Sequence, residues 1–315
     1  MLSFIGRRLL IAIPTVLIIS FFVFSLQFLL PGDPVLAMAG EERDPEVIAR
    51  LREQYGFNDP FLVQYFNWLT DALRGDLGQS LRMNQPVSAL IVEKLPVTFQ
   101  LAVMALIFAM VIGIPMGILS AVKKGTWLDY IANFIALSGL SIPNFWLGIL
   151  LILLISVNLG WLPASGYRPF SVDPWASIAT MIMPAFVLGT ALAATLMRHT
   201  RSAMLQVLRS DYVRTARSKG LREKVVILKH ALRNALVPVV TVSALLFGEL
   251  LAGAVLTEQI FSIPGFGKLV VDAVFSRDYA VVQGLVLVTS VAFILMNLLA
   301  DTAYMILNPR MRDEQ

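Results

Sequence analysis

The chain has 315 residues, 57% of them hydrophobic and only 15% charged, and its mean hydropathy is +0.75. A soluble domain has about 45–50% apolar and about 25% charged residues, so the composition excludes an ordinary water-soluble enzyme and points to lipid as the solvent. A formal charge of +4 does not indicate nucleic acid, because the basic residues sit beside apolar runs, and the lack of cysteine with only two histidines, His199 and His230, excludes thiolate and imidazole metal cages.

A bilayer core of about 30 Å needs roughly 20 apolar residues in a helix, and six such runs occur in order. The first covers residues 9–30, after Arg7 and Arg8, and ends at the turn-forming Leu30-Pro31-Gly32-Asp33-Pro34. Ala37-Met38-Ala39 has the small-x-small form of a processing site, but the preceding run is longer than the 7–15 residues of a signal peptide, so the first helix is expected to stay. From Pro31 to Leu95 acidic residues such as Glu41, Glu42, Asp44, Glu46 and Asp71 outnumber basic ones. The second run, 97–122, is followed by Lys123 and Lys124. The third, 130–157, contains Pro143, and the fourth, 177–197, contains Pro184; each proline reads as a packed kink or a gate.

A strongly basic segment follows, with Arg198, Arg201, Arg209, Arg214, Arg217, Lys219, Arg222, Lys224, Lys229 and Arg233 against only Asp211 and Glu223. The last runs are 235–256 and 280–307, the latter followed by Arg310 and Arg312. Because Lys and Arg stay on the cytoplasmic side, both termini and the basic segment are expected there, and the acidic segment outside. The expected organisation is a cytoplasmic tip and first transmembrane helix (1–30), an extracytoplasmic insertion (31–95), a five-helix core (96–307) containing the cytoplasmic loop 198–235, and a cytoplasmic tail (308–315). The fold class is thus an all-α integral membrane protein of six transmembrane helices.

Within the loop, Met204, Leu208, Tyr212 and Ala216 form one stripe at helical spacing and Leu221, Val225, Leu228, Leu232 and Leu236 another. Gly220 reads as the break between two amphipathic helices, suited either to anionic lipid or to docking a cytoplasmic partner. Inside the spans the polar residues that stand out are Glu249, Asn133, Asn144, Gln283, Asn297 and Asp301. A charged side chain at a helix centre costs about 2.5–3.5 kcal/mol. Glu249, Asn144, Asn297 and Asp301 are the candidates for a translocation path; hydrogen bonding between helices is the alternative.

Asp211-Tyr212-Val213-Arg214-Thr215-Ala216-Arg217-Ser218-Lys219-Gly220 resembles the coupling loop of binding-protein-dependent ABC importer permeases. With His230-Ala231-Leu232-Arg233-Asn234-Ala235 and Pro238, the segment is most similar to the dipeptide, oligopeptide and nickel group. The general signature begins Glu-Ala-Ala where this chain has Arg214, Thr215 and Ala216. Leu30-Pro31-Gly32-Asp33-Pro34 resembles the start of the family's external region. Gly253-Ala254-Val255-Leu256-Thr257-Glu258, Phe261-Ser262-Ile263-Pro264-Gly265-Phe266-Gly267 and Arg277-Asp278-Tyr279 resemble its last external connection. The longer external insertion matches the first of the group's two permease types.

The resemblance implies a type-1 ABC importer permease core in the bacterial cytoplasmic (inner) membrane. It implies that Asp211, Tyr212, Arg214, Thr215, Ala216, Arg217, Lys219 and Gly220 couple to an ATPase. The implied partners are a second homologous permease, two ATP-binding subunits and an extracytoplasmic solute-binding protein. No phosphate-binding Gly-x-x-x-x-Gly-Lys-Ser/Thr string occurs, Gly267-Lys268 being followed by Leu269, so ATP and magnesium are expected on the partners, with no cofactor, metal or catalytic residue in this chain. The implied solutes are di- or oligopeptides or related compounds such as glutathione or nickel chelates. The alternative, an ion-coupled secondary transporter, would favour internal repeats with paired broken helices, and none is seen in the sequence.

Overall fold

The computed structural model describes residues 2–29, 35, 44–54, 56–80 and 82–307. The motif at 30–34, the sequence 37–39, Glu41, Glu42, the 308–315 tail and the side chains of Arg7 and Asp301 lie outside the described residues.

Long apolar stretches become helices because only internal backbone bonding satisfies every N–H and C=O in lipid. Helix α1 is Leu2–Leu29; its hydroxyls bond back along their own helix, Thr15 to the Ile11 carbonyl and Ser25 to that of Phe21. Two shorter helices follow, α2 (Pro45–Gln54) and α3 (Phe61–Leu73). Helix α4, Val87–Val122, has 36 residues, about 54 Å at 1.5 Å per residue, well beyond a bilayer core. Helices α5 (Trp127–Ser141) and α6 (Asn144–Leu151, continued as a π-helical segment Ile152–Asn158) come next. Then come α7 (Pro174–Val207), α8 (Asp211–Ser218) and α9 (Glu223–Val225). A π-helical segment, Val226–Ala231, leads into α10 (Leu232–Gly253). The last are α11 (Val255–Ile260), α12 (Phe266–Ser276) and α13 (Tyr279–Leu307). Among the described residues there is no strand, only an isolated bridge between Gln79 and Pro86.

Among the described residues, four stretches are long and apolar enough to cross a membrane: Val87–Val122, Pro174–Val207, Glu223–Leu251 and Tyr279–Leu299. The run read as one span over 130–157 is instead two helices meeting at 95°. Ile142 lies in extended conformation, φ −82° and ψ 121°, as expected before a proline whose ring disfavours helix at the preceding residue. Counting that bent pair as one span gives five; α1 contributes a shorter apolar stretch, Leu10–Ser25. Pro184, in contrast, is buried inside an unbroken α7.

The chain forms two compact units, one of Thr98–Ile263 with the part of α13 from Leu295 onward, the other of Leu2–Val97 with Pro264–Ile294. In the first, α4 and α7 meet through small residues. A Cβ on Gly113 would lie 2.6 Å from the Ala193 carbonyl oxygen, and one on Gly117 2.6 Å from the Thr200 Cβ. Such four-residue spacing of small side chains lets membrane helices approach closely. In the second unit Leu77, Val87, Leu90, Phe266, Leu269 and Leu285 form the core. There Asp278 receives the Ser80 hydroxyl at 2.6 Å, fixing the turn before α4 to the start of α13.

Candidate functional site

The basic segment begins as the last turns of α7 and then folds into a compact knob. Ser210 precedes α8 in extended conformation, and Val213 and Ala216 turn inward against Ala121, Ala203, Met204, Val226 and Ala231. The inward face therefore runs through Val213, whereas the sequence stripe placed Tyr212 there. Tyr212 is exposed and its hydroxyl receives the Asn234 side-chain amide at 2.7 Å. The second stripe shifts too: Leu221, Val225 and Leu228 are exposed, and Val226, Ala231 and Ala235 are buried instead. A π-helical turn has i→i+5 bonding, so the segment Val226–Ala231 rotates every later side chain away from 3.6-residue phasing.

Gly220 ends the knob with φ +74°, a left-handed conformation that side chains with a Cβ rarely adopt. A Cβ there would meet nothing within 4 Å, so the turn requires glycine for its backbone angle and not for space. Arg217 staples across it, Nη2 to Glu223 Oε1 at 2.7 Å and Nε to Oε2 at 3.2 Å. The hydrogen bond to Glu223 holds the Arg217 pKa above its ordinary value despite some desolvation. Arg214 pairs with Asp211, and the Thr215 hydroxyl donates to the Asp211 carbonyl at 2.9 Å. Lys219 and Gly220 are exposed at the tip.

Below the knob sits a polar lock that composition did not reveal. Asp129, at the start of α5, receives a bidentate pair from Arg201 of α7, Nε to Oδ1 and Nη2 to Oδ2 both at 3.0 Å. The Ser120 hydroxyl, the Gly125 N–H at 3.0 Å and the Asn133 amide at 2.7 Å complete the carboxylate's shell. Residues next to this lock, Ala121 and Ala203, are part of the floor on which α8 rests. The knob thus bears directly on the ends of α4 and α7 and, through the lock, on α5. Asp129 and Arg201 are 72 residues apart, so no local spacing signals the pair.

Elsewhere in this unit Glu258, fully buried, receives the Thr98 hydroxyl at 2.6 Å. It had stood out only as part of a motif. Of the path candidates, Glu249 is exposed on α10, Asn144 half-buried at the start of α6 and Asn297 half-buried on α13, while the Asp301 side chain lies outside the described residues. Asn133 satisfies itself within the Asp129 lock. Among the described residues no group of three His, Asp or Glu is placed to hold a metal.

The family described as binding-protein-dependent transport system inner membrane component matches residues 113–313, and its N-terminal companion matches residues 1–102. The chain is 44% identical over 333 residues to the dipeptide transport system permease protein DppB of Alkalihalophilus pseudofirmus, covering 99% of this chain and 100% of that one. It is 46% identical over 312 residues to the glutathione transport system permease protein GsiC of Pectobacterium atrosepticum, covering 99% of each. Among solved structures, an inward-facing form of the MetNI methionine ABC transporter matches with TM-score 0.57 at 18% identity, over 70% of this chain and 96% of that one. At that identity the likeness is one of fold.

Proposed function

The chain belongs to the family of binding-protein-dependent transport system inner membrane components, and on that premise we propose that it forms half of the translocation path of an ATP-driven importer of di- or oligopeptides or related small solutes. Near-complete alignment with permeases named for dipeptide and glutathione transport supports the substrate class. It is a permease component and not an ion-coupled carrier. In this reading all six apolar runs cross the inner membrane, α1 and the bent α5–α6 pair included. Both termini and the α7–α10 connection face the cytoplasm and residues 31–95 lie outside. The positions of Lys and Arg support that orientation.

The observation that carries the mechanism is the rigid seat of α8. Two ATPase subunits, holding ATP and magnesium, would grip the knob formed by Asp211, Tyr212, Arg214, Thr215, Ala216, Arg217, Lys219 and Gly220. Exposed Tyr212, Leu221, Val225 and Leu228 offer them an apolar surface. Because Val213 and Ala216 are wedged against Ala121, Ala203 and Met204, movement of α8 displaces the ends of α4 and α7 together. The Asp129–Arg201 lock makes α5 follow. A second permease would supply the other half of the path, lined in part by Glu249, Asn144, Asn297 and Asp301, and an extracytoplasmic binding protein would deliver the solute.

Purification of the tagged chain from its native membrane in mild detergent tests the assembly. A second homologous permease and two ATP-binding subunits at stoichiometric amounts are expected; recovery of the chain alone or as a homo-oligomer contradicts the reading. Orientation is tested with Glu46→Cys and Ser218→Cys in this cysteine-free chain. An impermeant thiol reagent applied to intact cells should label position 46 and spare position 218.

A further inference from the structure

Helix α3 lies in the segment whose acid-rich composition suggests a purely aqueous module, yet its surroundings are those of a membrane helix. At 100° per residue its side chains divide into three sectors. Phe61, Tyr65, Trp68 and Ala72 form the first, and they face protein. Phe61 stacks edge-on with Phe21 and Phe28, Tyr65 with Phe21 and Phe24, and Trp68 lies 5.5 Å from Phe24. Trp68 and Ala72 also pack on the core of Leu77, Val87 and Leu285, as does Val16 of α1. The Tyr65 hydroxyl bonds Ser20 at 2.9 Å and the Leu17 carbonyl at 3.3 Å.

These partners fix the depth of the helix. Leu17, Ser20, Phe21 and Phe24 lie within the apolar stretch Leu10–Ser25 of α1, and Phe28 just past its end. A helix packed there is beside hydrocarbon. The second sector of α3 is Leu62, Phe66, Leu69 and Leu73, of which Leu62 is 57%, Phe66 59% and Leu73 81% exposed. On α1 Ile18 and Phe22 are exposed as well, 58% and 66%, so both helices present apolar side chains outward. The third sector carries Gln64, Asn67, Thr70 and Asp71, with Val63 as its one apolar member. Gln64 donates to the Asp59 carbonyl at 2.8 Å and Thr70 to that of Phe66 at 2.7 Å.

We propose that α3 is an interfacial helix half-sunk in the bilayer, with Leu62, Phe66, Leu69 and Leu73 among lipid acyl chains, Asn67 and Asp71 at the headgroup and water level, and Phe61, Tyr65 and Trp68 held by α1. One face to protein, one to lipid and one to water is the pattern that a helix lying in the interface plane requires. A water-soluble partner such as a binding protein would not reach a face at the depth of Leu17 and Ser20. The inference depends only on α1 crossing the membrane, and it holds whatever solute the protein carries.

The test places single cysteines by Leu62→Cys, Phe66→Cys, Asn67→Cys and Asp71→Cys in the assembled transporter. Each is labelled with an environment-sensitive nitrobenzoxadiazole probe and reconstituted into phosphatidylcholine–phosphatidylglycerol vesicles, with or without bromine on the acyl chains. Positions 62 and 66 should emit to the blue and lose intensity in brominated lipid, while 67 and 71 emit to the red and are unaffected. That pattern should not change when binding protein is added. Absence of bromine quenching at 62 and 66 overturns the proposal, and so does equal quenching at all four positions. A blue shift at 62 and 66 that appears only with binding protein also overturns it, and makes this face a protein-docking surface. ATPase activity measured on the same vesicles reports whether each variant is intact.

Discussion

Replacement of Gly220 separates a conformational requirement from a steric one. The residue has φ +74° and open space where a Cβ would be, so the cost of a substitution is the left-handed backbone alone. For an L residue that cost is about 1–2 kcal/mol, which lowers the equilibrium constant for the seated turn about 5- to 30-fold. Asn visits this region more readily than other non-glycine residues, and a β-branched residue there is an outlier. The expected order of function is therefore Gly, then Gly220→Asn, Gly220→Ala and Gly220→Val. The Arg217–Glu223 staple spans the turn at 2.7 Å and should be lost in the same order. The assay is the number of solute molecules accumulated per ATP hydrolysed by reconstituted complexes, with assembly checked by gel filtration. Val should uncouple, hydrolysing ATP with little uptake, or shed the ATPases. Wild-type coupling in an assembled Gly220→Val complex refutes the reasoning, and Ala outperforming Asn would show that size, not backbone angle, governs the site.

Arg201→Met leaves Asp129 buried without its bidentate partner, and loss of one member of a buried pair costs about 3–5 kcal/mol. The low end applies, because Arg201 is 27% exposed and Asp129 6%, and a fall in the melting temperature of the purified permease measures it. Gly117→Leu drives a side chain into Thr200 at 2.6 Å; overpacking of this kind costs about 1–3 kcal/mol or more, and less folded protein should be recovered from membranes, with Gly6→Leu, where the surroundings are open, as a harmless control. Glu249→Gln should assemble normally and lose uptake if the exposed carboxylate serves the path; normal uptake by both Glu249→Gln and Glu249→Leu removes it from the path.

The helices were legible because lipid forces long uniform apolar runs, and the turn at Gly220 because a glycine between two amphipathic stretches has few other uses. Pro143 and Pro184 looked alike in sequence, yet only the first breaks its helix; whether the preceding residue leaves helical conformation is decided by packing that sequence does not display. The inward face of α8 runs through Val213 and not Tyr212, and past Val226 the second stripe loses its phase because a π-helical turn has no periodic signature. Asp129 and Arg201 meet only after α4, α5 and α7 have assembled. Segment-wide charge hid the character of α3: the acidic residues of 31–95 lie mostly outside it, and Asp71 is the one charged residue in its sequence. Gly113 and Gly117, which form the α4–α7 contact, lie within a uniformly apolar run where nothing marks them for that role.

A permease driven by partner ATPases moves solute with ATP and without any ion gradient. Proteoliposomes containing the complete complex, with binding protein outside and ATP enclosed, should accumulate a radiolabelled dipeptide, and uptake should persist when proton and sodium gradients are collapsed with ionophores. Accumulation that proceeds without ATP and vanishes with the ion gradient would contradict the account.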